Sequence, residues 1–272
     1  MGKIATEQYC ASIGGGSGYT NNLCATKSRA QALGCTVNGS YSNNQLVEED
    51  SLIGHYNPYD PPYDPYNGHD YVEIGGLKWA TMNIGATSIT DTGLYFAWGD
   101  TQGYTASQVG SGSGKKYFGL KDYKYYKYGG VMTKYNSTDR KRVLESSDDA
   151  ARANWGGSWR MPTDDEYWAL INAVTTAWTN SYQGSGVAGM ICTDKTDSSK
   201  VLFFPACGNC YIGSVNYVGS YGDYWSSSLN SSKVQNAYVL SFSNRTVSGG
   251  LSVSWQGYID RSRGLSVRGV IG

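Results

Sequence analysis

The residues with the spacing of a redox or metal site are Cys207 and Cys210, which two residues separate. A C-x-x-C pair can hold a metal ion or exchange a disulfide, but it then needs further ligands or a reactive thiolate. No second such pair accompanies it, and both histidines, His55 and His69, lie far upstream. The other cysteines are Cys10, Cys24, Cys35 and Cys192. Three cysteines lie within residues 1–54 and three lie beyond residue 190, and an odd number in each group does not predict a disulfide framework. Buried or singly bridged cysteines are the favoured interpretation.

Two clusters of acidic residues could serve in acid–base catalysis or in metal binding. Asp148 and Asp149 form the first, and Asp164, Asp165 and Glu166 form the second. Each cluster stands where a helix is expected to begin, and carboxylates there cap the free N–H groups of the first turn. The chain contains no H-E-x-x-H, P-loop or G-x-S-x-G motif. We therefore predict a protein that is not an enzyme, with no catalytic residue, no metal site and no cofactor.

The composition favours strands, turns and binding loops over helices. The 272 residues include 36 Gly, 24 Tyr and 8 Trp, and only 16% are charged. Antibody paratopes use similar residues, because Tyr gives large rigid contacts while Ser, Gly and Asn give adaptable hydrogen bonds. A net charge of zero argues against nucleic acid as a partner. No apolar run approaches the roughly 20 residues of a membrane helix, so no membrane insertion is expected.

Composition divides the chain into three parts. Residues 1–54 form a short unit, too small to bury a large core alone, which we interpret as an attachment or assembly module. Residues 55–69 hold four of the six prolines in a Pro-Tyr-Asp pattern, which is typical of a semi-rigid linker. Residues 70–272 form the main domain.

The first half of the main domain predicts a hairpin, a strand and a long loop. Residues 71–85 read as two short strands joined by Gly75-Gly76, a hairpin signal. The apolar run at 94–99 predicts another strand. Residues 101–136 are rich in Gly, Ser, Lys and Tyr with little periodicity, so they predict an insertion loop.

The second half predicts two helices followed by short strands. One helix is expected at 148–154, and a longer one follows Thr163, which has capping-box spacing to Glu166. Period-two patterns then predict strands at 201–206, 224–228, 237–243 and 266–271. Strands, then helices, then many short strands indicate an α+β fold with antiparallel pairing.

Several segments of this domain are recognisable as a set. In order, they are YVEIGGLKWATMNIGAT, GLYFAWGDT, WGGSWRMPTDDEYWALI, YWSSS, NAYVLSF and RSRGLSVRGV. The set resembles the Fibrobacter succinogenes major paralogous domain family, which is related to the formylglycine-generating-enzyme type of C-type lectin fold. The resemblance covers about residues 70–272 and leaves out the N-terminal unit. It implies a C-type-lectin-like fold with short antiparallel strands and two helices.

A further resemblance rests on YWSSSLNSS, AYVLSF and VSWQGYIDRSRGLSVR. These segments resemble the variable proteins of diversity-generating retroelements, in which an adenine-directed process rewrites codons near the end of the gene. The positions that match the fixed scaffold are Trp225, Ala237, Tyr238, Phe242, Trp255, Arg261, Gly264, Ser266, Val267 and Arg268. Arg268-Gly269-Val270 departs from the usual pattern, in which proline follows the arginine.

The resemblance implies that positions between the scaffold residues bind ligand, within a variable region of about 224–270. The predicted ligand-binding residues are Val239, Ser241, Ser243, Arg245, Ser254, Gly257, Tyr258, Ile259, Asp260, Ser262, Arg263 and Leu265. Each is a permitted product of randomising both adenines of an AAY codon, although many ordinary surface residues pass the same test. A rigid sheet would display these side chains on loops. Without the resemblance, residues 254–265 are interpreted as a polar surface loop.

The expected function is ligand or receptor binding by a hypervariable patch that a retroelement diversifies. The partner would be an unknown protein or glycan on a cell surface, and a homo-oligomer could form through the N-terminal unit. A fixed carbohydrate-binding or structural adhesin and an oxidase of the formylglycine-generating type are the alternatives. The signatures of calcium-dependent C-type lectins are missing. The expected location is extracellular, on a bacterial surface or a phage tail; the start, MGKIATEQYC, lacks a signal-peptide core.

Overall fold

The computed structural model describes residues 66–247 and 250–272. The predicted N-terminal unit and most of the predicted linker lie outside these residues. The described residues belong to a unit that spans Pro65–Gly272. The first residues of this unit pack against its later part. Trp159 Nε1 donates to the backbone oxygen of Tyr66 at 2.7 Å, and the His69 ring stacks on Trp155 at 4.0 Å.

The elements are short strands with two α-helices between them. The first strands are β1 (Tyr71–Ile74), β2 (Leu77–Asn83), β3 (Tyr126–Lys127) and β4 (Val131–Met132). The helices are α1 (Ala150–Trp155) and α2 (Asp164–Ala173). The later strands are β5 (Val174–Thr179), β6 (Gly189–Asp194), β7 (Val201–Pro205), β8 (Asn209–Tyr211), β9 (Ser214–Asn216), β10 (Tyr221–Leu229), β11 (Asn236–Val247), β12 (Gly250–Asp260) and β13 (Arg268–Ile271). The named strands pair antiparallel, which confirms the predicted α+β class.

The first sheet joins the two ends of the domain in the order β1-β2-β13. The predicted hairpin is confirmed: Gly75 and Gly76 have φ of 62° and 80°, the left-handed values that a two-residue hairpin turn needs. β13 pairs with β2 and places Val270 opposite Trp79. Gly269 has no room for a side chain, since an added Cβ would lie 2.7 Å from the Trp155 ring.

The predicted helix after Thr163 is confirmed together with its capping box. Thr163 Oγ1 accepts from the Glu166 N–H at 3.2 Å, and Glu166 Oε2 accepts from the Thr163 N–H at 2.8 Å. The shorter helix α1 begins after Asp149, whose carboxylate accepts from the N–H groups of Ala151 and Arg152. Both acidic clusters therefore contribute a helix cap, as predicted.

Two predictions for connecting segments need correction. The run at 94–99 forms only single bridges, at Tyr95 and Phe96, because its neighbours are loop residues rather than a strand. The segment 101–136 is not one continuous loop. It contains two 3-10 turns, Ala106–Gln108 and Leu120–Asp122, and the β3–β4 hairpin.

Two three-stranded sheets, β5-β6-β7 and β10-β11-β12, make up the rest of the domain. The strands predicted at 201–206, 224–228, 237–243 and 266–271 are confirmed within a few residues by β7, β10, β11 and β13. β12 was not predicted: residues 254–260 belong to a strand that pairs with β11 along its length, and not to a loop. A core of aromatic side chains, including Trp79, Trp98 and Trp225, is fully buried.

Candidate ligand-binding face

One face of the β10–β11–β12 sheet is covered by small polar side chains. Ser241 pairs with Ser254, and Ser243 pairs with Ser252. Directly opposed residues point to the same side of a sheet, as do alternate residues of one strand. Ser254 is exposed, Ser241 and Ser252 are half-buried, and Ser243 is buried. We call these four residues the serine face.

Gly257 extends the serine face along β12. It pairs with Val239, and a Cβ added at Gly257 would meet Val239 Cγ2 at 3.1 Å and Ser241 Cβ at 3.6 Å. The face therefore presents serine hydroxyls and backbone rather than large side chains. A ligand could approach the sheet closely there.

A buried carboxylate lies beside Ser241 on the same side of the sheet. Asp223 of β10 pairs with Ser241 and is only 4% exposed. Its Oδ1 accepts from Ser241 Oγ at 2.7 Å, and its Oδ2 accepts from Asn209 Nδ2 at 2.9 Å. Burial raises the pKa of Asp223, although these two hydrogen bonds and the charge of Arg263 act in the opposite direction.

Asn209 completes this polar cluster from the β8–β9 hairpin. Its side chain is almost fully buried, and its Oδ1 has no hydrogen-bond partner within the described part of the chain. A buried acceptor without a partner is destabilising. The Asp223–Asn209 cluster is therefore only partly satisfied by the protein itself.

Arg263 supplies the positive charge beside this cluster. Its guanidinium lies over the Tyr211 ring, 3.9 Å from the centroid. Among residues 66–247 and 250–272, it forms no ion pair within 4.0 Å and its side chain donates no hydrogen bond. Stacking fixes the position of the guanidinium while its N–H donors stay available.

The structure places the predicted ligand-binding residues at different depths. Val239, Ser243, Ser262 and Leu265 are buried, so a ligand at the surface does not reach their side chains. Ser241, Ser254, Gly257 and Arg263 lie at or beside the serine face. The remaining positions are Arg245, Tyr258, Ile259 and Asp260.

These remaining positions are not brought together. Tyr258 pairs with Tyr238 and therefore points to the opposite side of the sheet. It lines an open depression of about 300 Å³ with Lys233, whose Nζ donates to its hydroxyl at 3.1 Å. Ile259 is half-buried opposite Ala237. Arg245 is exposed on β11.

Asp260 has a local structural role. Its carboxylate accepts from the backbone N–H of Ser262 at 2.9 Å and from the Ser262 hydroxyl at 2.8 Å. These bonds form the turn that leaves β12. The pair is therefore engaged within the protein.

The chain beyond this turn is held by two fully buried arginines, Arg261 and Arg268. Arg261 lies 4.7 Å from the Trp98 ring and donates to the Tyr123 hydroxyl at 2.9 Å. It also donates to the backbone oxygens of Lys134, Tyr135 and Val234. Arg268 donates to Asn83 Oδ1 and to the backbone oxygens of Ala80, Thr81 and Phe203.

The positions that match the family scaffold are almost all interior. Trp225, Ala237, Phe242, Arg261, Gly264, Ser266, Val267 and Arg268 are buried. Tyr238 is half-buried, and the side chain of Trp255 lies outside the description. The Trp225 indole donates to the backbone oxygen of Phe96 at 2.7 Å. This bond connects β10 to the segment at 94–99.

Sequence reasoning missed Asp223, Asn209, Tyr211 and Ser252. A signal for Asp223 was present, because it is the one charged residue of the strand Tyr221–Leu229 and stands beside Tyr224 and Trp225, and a charged residue inside a buried strand is informative. Asn209 stands between the two cysteines and was read as a turn residue. Only the pairing of β8 and β10 with their neighbours brings these side chains together.

The cysteines of the C-x-x-C pair do not have the environment of reactive thiols. Cys192, Cys207 and Cys210 are free and buried. Burial raises the pKa of Cys192 to about 12 and also raises the pKa of Cys207 and Cys210. Protonated, inaccessible thiols are poor nucleophiles and poor metal ligands. In the described part of the chain, no three His, Cys, Asp or Glu side chains cluster as a metal site.

Comparisons with protein-family models, with curated proteins and with solved structures find no match to this chain. None of the helices among the described residues has the length and apolar character to span a bilayer.

Proposed function

We propose that this chain is a ligand-binding protein with a C-type-lectin-like scaffold, and that the serine face is the centre of its binding surface. The observation that carries the proposal is the Asp223 carboxylate, which is buried beside Ser241 on the same side of the sheet, with no cation within 4.0 Å among the described residues. Burying a charge without an opposite charge is destabilising. Stability therefore does not account for Asp223. A ligand at the surface does not reach its buried carboxylate, but Asp223 orients the hydroxyl of the half-buried Ser241, which belongs to the serine face.

The serine face also suits a surface whose side chains change. Its residues stand on β11 and β12; the fully buried Arg261 directly follows β12, and the buried Trp225 of β10 pairs with Val239 of β11. Ser254 is exposed, so its replacement leaves the interior intact. Ser241 and Gly257 tolerate fewer side chains, because Ser241 donates to Asp223 and a Cβ at Gly257 would meet Val239 at 3.1 Å. This arrangement supports diversification by a retroelement, with Ser241, Ser254 and Gly257 among the varied positions.

A binding screen tests the proposed surface. The purified protein is screened against arrays of bacterial surface proteins and of glycans, in parallel with Ser254→Arg, which places a long cation on the face. Ser198→Arg, in the exposed β6–β7 turn, is the matched control. We expect Ser254→Arg to weaken binding at least about tenfold while Ser198→Arg does not. Equal binding by both variants would remove the serine face from the proposal.

Diversification is tested separately by deep sequencing of the gene in its natural population. We expect substitutions to concentrate at codons within about 224–270 and to spare the codons of Arg261 and Arg268. A uniform distribution, together with glycan binding by the parent protein, would favour the fixed adhesin. In either case we place the protein outside the cell, on a bacterial surface or a phage tail, with a protein or glycan as partner.

A further inference from the structure

Large apolar side chains are exposed together around the β8–β9 hairpin. Ile212, at its turn, is 46% exposed, and Tyr217 and Val218, which follow β9, are 62% and 55% exposed. The hairpin has three residue pairs; Ile212 lies one residue beyond them at the turn and Tyr217 one residue beyond them at the base, so the two are about 14 Å apart along the hairpin, at roughly 3.4 Å per residue. One binding partner could therefore cover all three side chains. We call Ile212, Tyr217 and Val218 the apolar corner.

The backbone at the apolar corner makes these residue types costly for folding. Ile212 has φ of 50° and Tyr217 has φ of 63°, in the left-handed region that side chains with a Cβ disfavour. Ile212 and Gly213 form the two-residue turn of the hairpin, where Asn-Gly is the preferred pair. A β-branched residue is among the poorest choices for this conformation. Neither burial nor backbone preference explains Ile212 or Tyr217.

The charge beside the apolar corner is positive. Arg263 stacks on Tyr211, the neighbour of Ile212, and its guanidinium N–H groups are not used by described residues. Arginine binds carboxylates through two parallel hydrogen bonds when its position is fixed. A complementary partner therefore carries a carboxylate next to apolar side chains.

The apolar corner is continuous with the serine face. Gly208 donates from its backbone N–H to the backbone oxygen of Tyr221 at 2.7 Å, and Tyr221 pairs with Ser243. The ring centroids of Tyr217 and Tyr221 lie 5.4 Å apart. The apolar corner therefore adjoins the β10 edge of the sheet that carries the serine face.

We infer that the apolar corner and Arg263 dock a protein segment that presents apolar side chains beside a carboxylate. The inference rests on the proposed function and names its ligand class as protein. A glycan supplies hydroxyl groups and few apolar groups, so it would leave Ile212 and Val218 uncovered. Exposed aromatic and arginine side chains are typical of protein hot spots.

The experiment uses a phage-displayed library of random 12-residue peptides, panned on the immobilised full-length protein. We expect selected peptides to share Asp or Glu next to aromatic or aliphatic residues. Their affinities are then measured on Ile212→Asn/Tyr217→Asn, on Arg263→Gln, and on the control Tyr128→Asn. Tyr128 is 97% exposed at the β3–β4 turn, away from the apolar corner in sequence.

The double asparagine variant separates binding from folding. Asparagine tolerates the left-handed conformation, so its melting temperature is expected to stay the same or rise by about 2–4 °C. Its peptide affinity should fall at least tenfold. Arg263→Gln should weaken acidic peptides at least tenfold and leave their Asn or Gln counterparts unchanged. Tyr128→Asn should bind like the parent.

Several outcomes overturn the inference. The first is selection of peptides without an acidic and apolar motif, and the second is equal binding by parent and double variant. Sedimentation that shows a dimer in the parent and a monomer in the double variant identifies a second copy as the occupant instead. If glycans bind and Ser254→Arg abolishes that binding while peptides do not bind, this inference fails and the proposed function stands. If neither surface affects any binding, both fail.

Discussion

Two buried aspartates have opposite electrostatic surroundings. Asp148 precedes α1 and lies against Lys124 and Lys134, with the Tyr135 hydroxyl donating to it at 2.5 Å. Burial alone would raise its pKa, but hydrogen bonds from Lys134, Tyr125 and Tyr135 and the charge of Lys124 lower it well below the ordinary value. Within the described part of the chain, Asp223 accepts hydrogen bonds only from the neutral Ser241 and Asn209. Burial raises its pKa and outweighs these bonds and the charge of Arg263, which act in the opposite direction.

The difference indicates that the charge of Asp148 stabilises the fold, whereas the charge of Asp223 does not. Asp148 connects distant parts of the segment 100–148 to one another, since Lys124 also contacts Asp100 and Lys134 also contacts Glu145. Asp223 forms no ion pair with any residue that the structure describes, and it lies beside Ser241 on the side of the sheet that carries the serine face. Its presence there is better explained by the Ser241 hydroxyl that it orients than by stability.

Substitution of Arg268 should have the largest effect on stability, because Arg268 is a buried charge with a full set of hydrogen-bond partners. Arg268→Ala should lower the free energy of unfolding by about 3–5 kcal/mol, since it leaves several buried acceptors without a donor. Arg268→Lys should restore only part of this, because lysine cannot reproduce the planar fork. Urea denaturation at neutral pH measures both. A loss below about 1 kcal/mol would mean that the arginine does not fix β13 as the geometry indicates.

Asp148→Asn should have the next largest effect, a loss of about 2 kcal/mol near pH 7, reduced somewhat by the partial exposure of both lysines. The folded pKa is below the unfolded value of about 3.9, so the contribution is present above roughly pH 4 and is lost as the pH falls. Urea titrations at pH 7 and pH 3 should therefore show a difference between parent and variant that shrinks in acid. A difference independent of pH would assign the effect to packing.

The same contrast shows what the sequence can predict. Thr163 and Glu166 define their helix locally through a capping box, and Gly75-Gly76 define a turn through φ. Both were predictable because the determining residues are adjacent in the chain. The hydrogen bond from Arg268 to the backbone oxygen of Phe203 depends on the pairing of strands that are distant in the chain. No local sequence pattern predicts it.

The candidate site was predicted only in part for the same reason. The patterns identified Ser241, Ser254 and Arg263, which are near the chain end where the family resemblance is strongest. They missed Asp223 and Asn209, which come from other strands and meet the serine face only through sheet pairing. Residues 254–260 read as a loop because β12 is rich in Ser and Gly, yet pairing with β11 overrides that weak local preference.

Asp223→Asn should be nearly neutral, or stabilising by up to about 1 kcal/mol, at pH 7. The folded pKa of Asp223 is raised, so the folded protein binds this proton more tightly than the unfolded chain does. Its contribution is therefore present below about pH 4 and is lost as the pH rises through the folded value. Thermal melts at pH 4 and pH 7 should show the variant gaining on the parent as the pH rises. The reverse trend would mean that Arg263 or another cation pairs with Asp223 in solution.

The smallest effect on stability is expected at the surface of the serine face. Ser254 is exposed, pairs with Ser241 and makes no side-chain hydrogen bond to another described residue, so Ser254→Arg should change the free energy of unfolding by less than about 0.5 kcal/mol. The same substitution is expected to disrupt binding. The change in unfolding free energy and the change in binding affinity are measured on the same variant. Together they show whether Ser254 can be replaced without loss of stability, which a surface that tolerates sequence change requires. If Ser254→Arg instead destabilises the domain by more than about 1.5 kcal/mol, Ser254 is constrained by the fold, and the proposal that this face tolerates sequence change is wrong.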